Sequence, residues 1–317
     1  MPLATTLAGI ELEHPLMNAG GTCKNLRNVE QFAASTVSAV MVNILVDQRP
    51  GNSGDVYWTN GQYSLNSFGL PSPGENYYRA MLREMVHLVH GVGKKVFVNV
   101  SGFATWEYAN LIKLAAEAGV DGGELNFGCP NIWAGADQKP ILSFNPPDML
   151  DVLWRIRNDG VEIPLGAKLS PSSDPGFIVV VCDMFTAADH AGAARVNWLT
   201  LSNTFPNGLI LDPVTGKPVI SGETGLAGVG GKAMKPIALG QIKQFMLAQA
   251  NGRLPAHIEF VGVGGITDGQ DVLDYMSLNV EGANRVSAVQ AATVYFDHKE
   301  DPGVYGDIIA GYAELVS

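Results

Sequence analysis

Short apolar runs alternate with longer stretches of helical period along most of this chain. Runs of four to seven residues rich in Val, Leu and Ile, bounded by Gly, Pro or Asn, read as buried strands. They occur at residues 15–20 (PLMNAG), 39–43 (AVMVN), 95–101 (KVFVNVS), 122–128 (GGELNFG), 164–170 (PLGAKLS), 196–202 (VNWLTLS), 258–264 (IEFVGVG) and 285–290 (RVSAVQ). Between them, stretches such as ENYYRAMLREMVHLVHG, ATWEYANLIKLAAEAG, PPDMLDVLWRIRNDG and PIALGQIKQFMLAQANG place apolar residues at helical spacing, and several end in Gly, as helix C-termini do. Strand-helix alternation implies parallel strands joined by crossovers, and eight strands predict a closed (β/α)8 TIM barrel formed by residues 1–317 as a single domain. Two interruptions, residues 47–74 and 205–231, each follow a strand. They are read as long βα-loop insertions over the C-terminal face, where binding loops gather.

What ends each strand is chemically uneven for a barrel. In chain order the ends carry Asn18-Ala19-Gly20-Gly21, Asn43, Asn99-Val100-Ser101, Asn126 through Asn131, Lys168, Ser202-Asn203-Thr204, Gly264-Gly265 and Gln290 through Thr293. One Asn at a strand end is an ordinary turn former. Five or more converging on one rim point to a ligand, and carboxamides match the alternating N–H and C=O edge of a cyclic imide or pyrimidine.

Three further features narrow the chemistry. GVGGITDGQD, residues 262–271, follows the seventh strand and precedes a helix, so its backbone N–H groups and the helix N-terminus are candidate phosphate donors, with Ala292 and Thr293 after the eighth strand adding to them. A GxGxxG dinucleotide fingerprint in an early βαβ unit is absent. Lys168 lies on an apolar strand, where its charge needs either a neighbouring carboxylate or the electron-rich edge of a reduced flavin. Cys129, in ELNFGCPN between two asparagines, is the candidate acid-base thiol. Cys23 and Cys182 are read as structural.

Composition excludes several classes. A formal net charge of −11, from 20 Lys plus Arg against 31 Asp plus Glu, opposes nucleic-acid binding. The opening segment MPLATTLAGIELEHPL lacks a basic region followed by an apolar one, and no run reaches the roughly eighteen apolar residues of a membrane span. The expectation is a cytoplasmic protein with reduced thiols, and without a CxxC pair no metal site is expected.

The segments NSFGLPSPGENYY (66–78), ELNFGCPN (124–131), GAKLSP (166–171), SNTFPNGLILD (202–212), GLAGVGGKAMKPIAL (225–239) and GVGGITDGQD (262–271) together resemble the dihydroorotate dehydrogenases, in order and across nearly the whole chain. Cysteine in the catalytic loop, GLAGVGGKAMKP and the length are similar to the class 1A homodimers. The resemblance implies FMN across the barrel mouth, with its phosphate near Gly264, Gly265 and Thr293. Ala19, Gly20, Asn43, Asn99, Asn126, Lys168, Ser202, Gly228 and Ala292 would complete the cofactor site. It implies a dihydropyrimidine held by Asn66, Asn126, Asn131, Asn203 and Thr204, with the backbone of Phe68, Gly69 and Leu70 near its carboxylate. Cys129 would remove the C5 proton of dihydroorotate while hydride leaves C6, and a fumarate-like acceptor would complete the cycle.

Two positions depart from the family pattern. Ala292 stands for a glycine, and Asn43-Ile44 stands for lysine followed by serine. Losing a hydrogen bond to a charged group costs about 1.5–3 kcal/mol, roughly ten- to a hundredfold in affinity. A less anionic cyclic amide, such as dihydrouracil, is therefore the alternative substrate. Flavin barrels that reduce tRNA uridines share the GCP loop but require a basic surface, and a flavin-binding module without catalysis would not need Cys129 and Lys168.

Overall fold

The computed structural model describes residues 3–130, 133–134, 137–222 and 224–317. Eight parallel strands form one sheet: β1 (Leu16–Asn18), β2 (Ala39–Ile44), β3 (Lys95–Val100), β4 (Gly122–Asn126), β5 (Leu165–Leu169), β6 (Val196–Leu201), β7 (Glu259–Val263) and β8 (Val286–Ala291). They lie in the order β1-β8-β7-β6-β5-β4-β3-β2, with β2 to β8 paired in sequence succession and β1 paired with β8. The remaining seam between β1 and β2 is closed by a side chain. Asn18 accepts from Met41 N–H at 2.8 Å and donates to Met41 C=O at 2.9 Å, imitating the ladder that a longer strand would supply. This is the expected (β/α)8 TIM barrel, and each strand lies within about two residues of its predicted bounds.

Helices α1 (Leu26–Ala34), α2 (Glu75–Gly91), α3 (Thr105–Ala118), α4 (Pro146–Asn158), α5 (Pro175–Ala191), α6 (Met234–Ala250) and α7 (Gly269–Met276) follow the successive strands. Two further helices, α8 (Thr293–Asp297) and α9 (Val304–Val316), follow β8. Their boundaries have local causes. Asn25, Asn145, Asp174 and Asp268 cap N-termini, Pro146 and Pro175 start helices, and Gly119 and Gly192 end them in the left-handed conformation. In α2 the buried residues Tyr78, Leu82, Met85, Val86 and Val89 form one stripe against the barrel.

The barrel interior changes character from bottom to mouth. A hairpin, Thr5–Leu7 with Ile10–Leu12, plugs the lower end and puts Leu7 and Leu12 against Met17, Met41, Phe97, Trp198 and Val261. Phe97 and Trp198 meet edge to face at 5.8 Å. Gly166 makes this possible, because a Cβ there would lie 2.0 Å from the indole. Above this apolar plug the inward positions become polar.

The two interruptions read as loops contain paired strands. Segments Tyr57–Thr59 and Ser64–Asn66 from the first join Ala227–Gly230 and Phe205–Gly208 from the second in a four-stranded antiparallel sheet over the C-terminal mouth. Each strand is only three or four residues long, below what sequence alternation can signal. No helix among the described residues is long and apolar enough to cross a membrane.

Candidate active site

Alternation along β4 turns Gly122, Glu124 and Asn126 inward. Glu124 is fully buried at the centre of the barrel. One oxygen accepts from Asn99 Nδ2 at 2.6 Å; the other accepts from Thr200 Oγ1 at 2.6 Å and Gln290 Nε2 at 2.7 Å. Three neutral donors thus hold a carboxylate that would otherwise be too costly to bury. Lys168 Nζ sits nearby, 3.4 Å from Gln290 Oε1. Burial pushes the Lys168 ammonium below the usual lysine value, with Glu124 opposing that shift. No carboxylate among the described residues lies within ion-pair distance of Lys168, so its charge remains available to the mouth.

A carboxamide chain rests on this layer. Asn43 Nδ2 donates to Asn99 Oδ1 at 2.8 Å, Asn126 Nδ2 donates to the same oxygen at 3.2 Å, and Asn203 Nδ2 donates to Asn126 Oδ1 at 2.9 Å. Asn43 Oδ1 accepts from Gly21 N–H. The rim asparagines therefore fix one another first. Each amide retains capacity for a ligand, since a carboxamide carries two N–H donors and two lone pairs.

Two adjoining cavities open above the chain. The larger, about 930 Å³ including its opening to solvent, gathers Asn43, Asn66, Phe68, Gly69, Leu70, Ser101, Asn126, Cys129, Asn203 and Thr204, together with Lys24. The second, about 550 Å³, gathers Ala19, Lys168, Ser202, Gly264, Gly265, Ile266 and Gln290. Gly20, Asn203, Thr204, Ala292 and Thr293 line both. Residues expected around a substrate ring thus share the larger cavity; of those expected around a cofactor, Ala19, Gly20, Lys168, Ser202, Gly264, Gly265, Ala292 and Thr293 share the second, whereas Asn43 and Asn126 line the larger one. Asn99 and Gly228 lie behind the walls: Asn99 is fully buried beneath Asn43 and Asn126, and Gly228 C=O accepts from Asn66 Nδ2 at 3.2 Å. Asn131 and part of the adjoining 132–139 segment lie outside the described residues.

The second cavity has the chemistry of an anion cradle. The N–H groups of Gly265, Ile266, Ala292 and Thr293 make no hydrogen bond among the described residues, although Gly265 and Ile266 are buried. Ser202 Oγ is likewise buried and unpartnered. Unpaired buried donors are costly in a folded chain and are expected where a ligand completes them. One element of the expected cradle differs. The head of α7 is already capped, with Thr267 N–H and Asp268 N–H donating to Asp271 at 2.7 and 3.2 Å and Asp271 N–H donating to Asp268 at 2.9 Å. These carboxylates occupy the helix N-terminus that a phosphate would have used. The unpaired N–H groups of Gly265 and Ile266 lie in the glycine turn ahead of it instead.

Cys129 is half-buried in the larger cavity, which Asn126 and Ser101 also line, and Ser101 Oγ has no partner among the described residues. The other cysteines have no such setting. Burial pushes the Cys23 thiol well above its usual value and the Cys182 thiol up to about 12, so both stay protonated at neutral pH. The roof is aromatic: Phe68 stacks on Tyr57 at 5.9 Å and contacts Phe296 at 4.8 Å.

The sequence matches the dihydroorotate dehydrogenase family over residues 2–315. The chain belongs to the dihydroorotate dehydrogenase family. It is 27% identical over 320 residues to dihydroorotate dehydrogenase A (fumarate) of Lactococcus lactis subsp. cremoris, covering 99% of this chain and 94% of that protein. It is 31% identical over 317 residues to the catalytic subunit of dihydroorotate dehydrogenase B (NAD(+)) of Anoxybacillus flavithermus, covering 99% and 91%. A probable dihydroorotate dehydrogenase A (fumarate) of Enterococcus faecalis is 27% identical over 320 residues, covering 100% and 94%. Glu124, beneath the mouth, and Lys24, lining the larger cavity, are residues that sequence reading missed, whereas Ser101 was already among the strand ends it named. Glu124 was legible in principle, two positions before Asn126 on one strand face. Lys24 becomes visible only when the cavity is assembled.

Proposed function

We propose that this protein interconverts dihydroorotate and orotate as an FMN-dependent oxidoreductase, with fumarate as the electron acceptor. The observation that carries this reading is the division of the mouth: a cavity with carboxamides and Cys129 beside a cavity with unpaired N–H donors and Lys168. The donors at Gly264, Gly265, Ala292 and Thr293 fit a phosphate, and Lys168, Ala19, Gly20 and Ser202 fit the remainder of FMN. When bound, FMN would supply the acceptor for the hydride taken from the ring.

The chain's own residues do the rest. Asn66, Asn126, Asn203 and Thr204 orient the ring, and Asn131 belongs to the same expected set. Cys129 removes the proton from the ring carbon next to the one that loses hydride. General base catalysis of this kind contributes about a hundred- to ten-thousandfold. Lys168 places positive charge where the cofactor gains electron density. Phe68, Tyr57 and Phe296 exclude water from above, which strengthens every polar contact below them. The reading includes a homodimer, and Leu209, Leu211 and Val214 are exposed apolar side chains on the segment after β6 that are open to such a contact.

The competing substrate is a neutral ring such as dihydrouracil, because Asn43 offers no charge. Anaerobic addition of dihydroorotate to the flavin-loaded protein should bleach the flavin absorbance, and fumarate should restore it. Bleaching by dihydrouracil but not by dihydroorotate would overturn the substrate assignment.

A further inference from the structure

The larger cavity is lined by one formally charged side chain, Lys24, among the described residues. Lys24 lies between β1 and α1, and its backbone is held on both sides. Its N–H donates to Asn28 Oδ1 at 3.2 Å, and its C=O lies 3.1 Å from the Tyr78 hydroxyl. The same hydroxyl lies 2.8 Å from Asn43 C=O, so one phenol ties the Lys24 backbone to the end of β2. The ammonium sits 5.7 Å from the centre of the Phe68 ring. No carboxylate among the described residues lies within ion-pair distance of it, and no hydrogen bond from Nζ accompanies the aromatic contact.

An ammonium drawn into a largely apolar cavity loses hydration and needs an anion in return. Among the described residues no anion pairs with it, and Glu300 acts on it only from beyond ion-pair distance. Phe68 offers only its ring face, worth less than an ion pair in a desolvated site. The cavity floor is neutral carboxamide, and the backbone of Gly69 and Leu70 lies along the same wall.

We infer that Lys24 is the specificity-determining cation of the site, receiving the carboxylate of an anionic ligand in the cavity that contains Cys129. The ligand class is a small planar carboxylate: a pyrimidine carboxylate in one half-reaction and a short unsaturated dicarboxylate in the other. Dihydroorotate and fumarate each meet this description, so the inference deepens the proposed function and rests on it for the identity of the ring. Asn43 then contributes neutral hydrogen bonding within the rim, and the charge enters from the loop after β1.

The test is equilibrium binding to flavin-loaded wild type, Lys24→Met and Lys24→Arg, titrated separately with orotate, fumarate and uracil and read by calorimetry. Lys24→Met should weaken orotate and fumarate by roughly tenfold or more while leaving uracil within about twofold, because only the carboxylates use the charge. Lys24→Arg should retain most of the carboxylate affinity. The inference is overturned if Lys24→Met leaves carboxylate affinity intact, if it weakens uracil equally, or if Lys24→Arg falls as far as Lys24→Met. Failure of the dehydrogenase reading has a different signature: dihydroorotate would not bleach the flavin, yet fumarate binding would still report on Lys24.

Discussion

Glu124 and Lys168 face each other through Gln290, which donates to the carboxylate at 2.7 Å and accepts from the ammonium at 3.4 Å. The carboxamide is a spacer. It lets a buried anion and a buried cation influence each other without collapsing into an ion pair that would remove Lys168 from the mouth. Asn99 and Thr200 complete the shell of the anion, so the floor of the site is a closed polar layer above an apolar plug.

Glu124→Gln should therefore destabilise the protein even though shape is conserved. All three contacts to the carboxylate oxygens come from donors, and a Gln amide would turn an NH2 group toward at least one of them. Leaving one buried donor unpaired costs about 1–3 kcal/mol. The expected result is a lower Tm in both apo and flavin-loaded protein; an unchanged Tm would mean that the layer rearranges freely.

Cys129→Ala should retain flavin and fold but lose dihydroorotate oxidation by about a hundred- to ten-thousandfold. Cys182→Ala, on the outer helix α5, is the matched control and should remain active. Stopped-flow bleaching of the flavin reads both. Comparable losses in the two variants would remove the special role of the Cys129 thiol.

The glycine turn of the anion cradle is braced by Asp271, which bonds Thr267 and Asp268 N–H and meets Lys235 at 2.5 Å. Burial works to raise the Asp271 pKa, but Lys235 and Thr267 together outweigh it and hold the carboxyl below its usual 3.8. A depressed carboxyl stabilises the fold fully above its unfolded value and loses that contribution as pH falls through the folded one. Asp271→Asn should thus lower Tm at neutral pH, and the gap to wild type should close below about pH 3.8, judged by thermal melts across pH. A gap that persists undiminished in acid would show that packing, not charge, accounts for the loss.

Much of this architecture was legible in the chain because parallel barrel strands are buried on both faces and read as short apolar runs. Such runs located β2 to β8 without any pairing information. The sheet over the mouth was not legible, since Asn66 finds Gly228 across more than a hundred and fifty residues and neither strand is long enough to show alternation. Polar strand ends located the rim, but not which amides would face a ligand. Asn99 looked equivalent to Asn126 in sequence and lies beneath it in space. Lys24 carried no local signal, because its meaning depends on Phe68 and Asn43 arriving from two other segments.

Burial also pushes the Lys24 ammonium below the usual lysine value of 10.5, while Glu300 and the Cys23 thiol oppose the shift; Tyr78, the other titratable group packed against it, is itself pushed upward. Only the ammonium attracts a carboxylate. Fumarate affinity should consequently be flat at neutral pH and fall as pH rises through the lowered Lys24 pKa, earlier than for an ordinary lysine. Fumarate keeps both charges throughout that range, so the decline reports the protein. An affinity that stays level up to the usual lysine range would place Lys24 outside the ligand's reach.

Asn43 offers the last test, because it lines the same cavity as Lys24 and shares the Tyr78 hydroxyl with it. In the wild type, Asn43→Lys would put a second ammonium near the first, and their repulsion would offset part of any gain in carboxylate binding. It would also remove the acceptor for Gly21 N–H and the donor to Asn99. The informative background is Lys24→Met, where that repulsion is absent. There, Asn43→Lys should restore orotate affinity by roughly tenfold or more relative to Lys24→Met alone, since a cation again faces the carboxylate from the end of β2. Uracil should gain nothing and should bind more weakly, because a lysine without a counter-charge pays desolvation in a dry cavity. Calorimetric titration of both ligands into the single and double variants measures the difference. If the double variant binds orotate no better than Lys24→Met, the end of β2 does not face the carboxylate, and the charge on the loop after β1 has no substitute there.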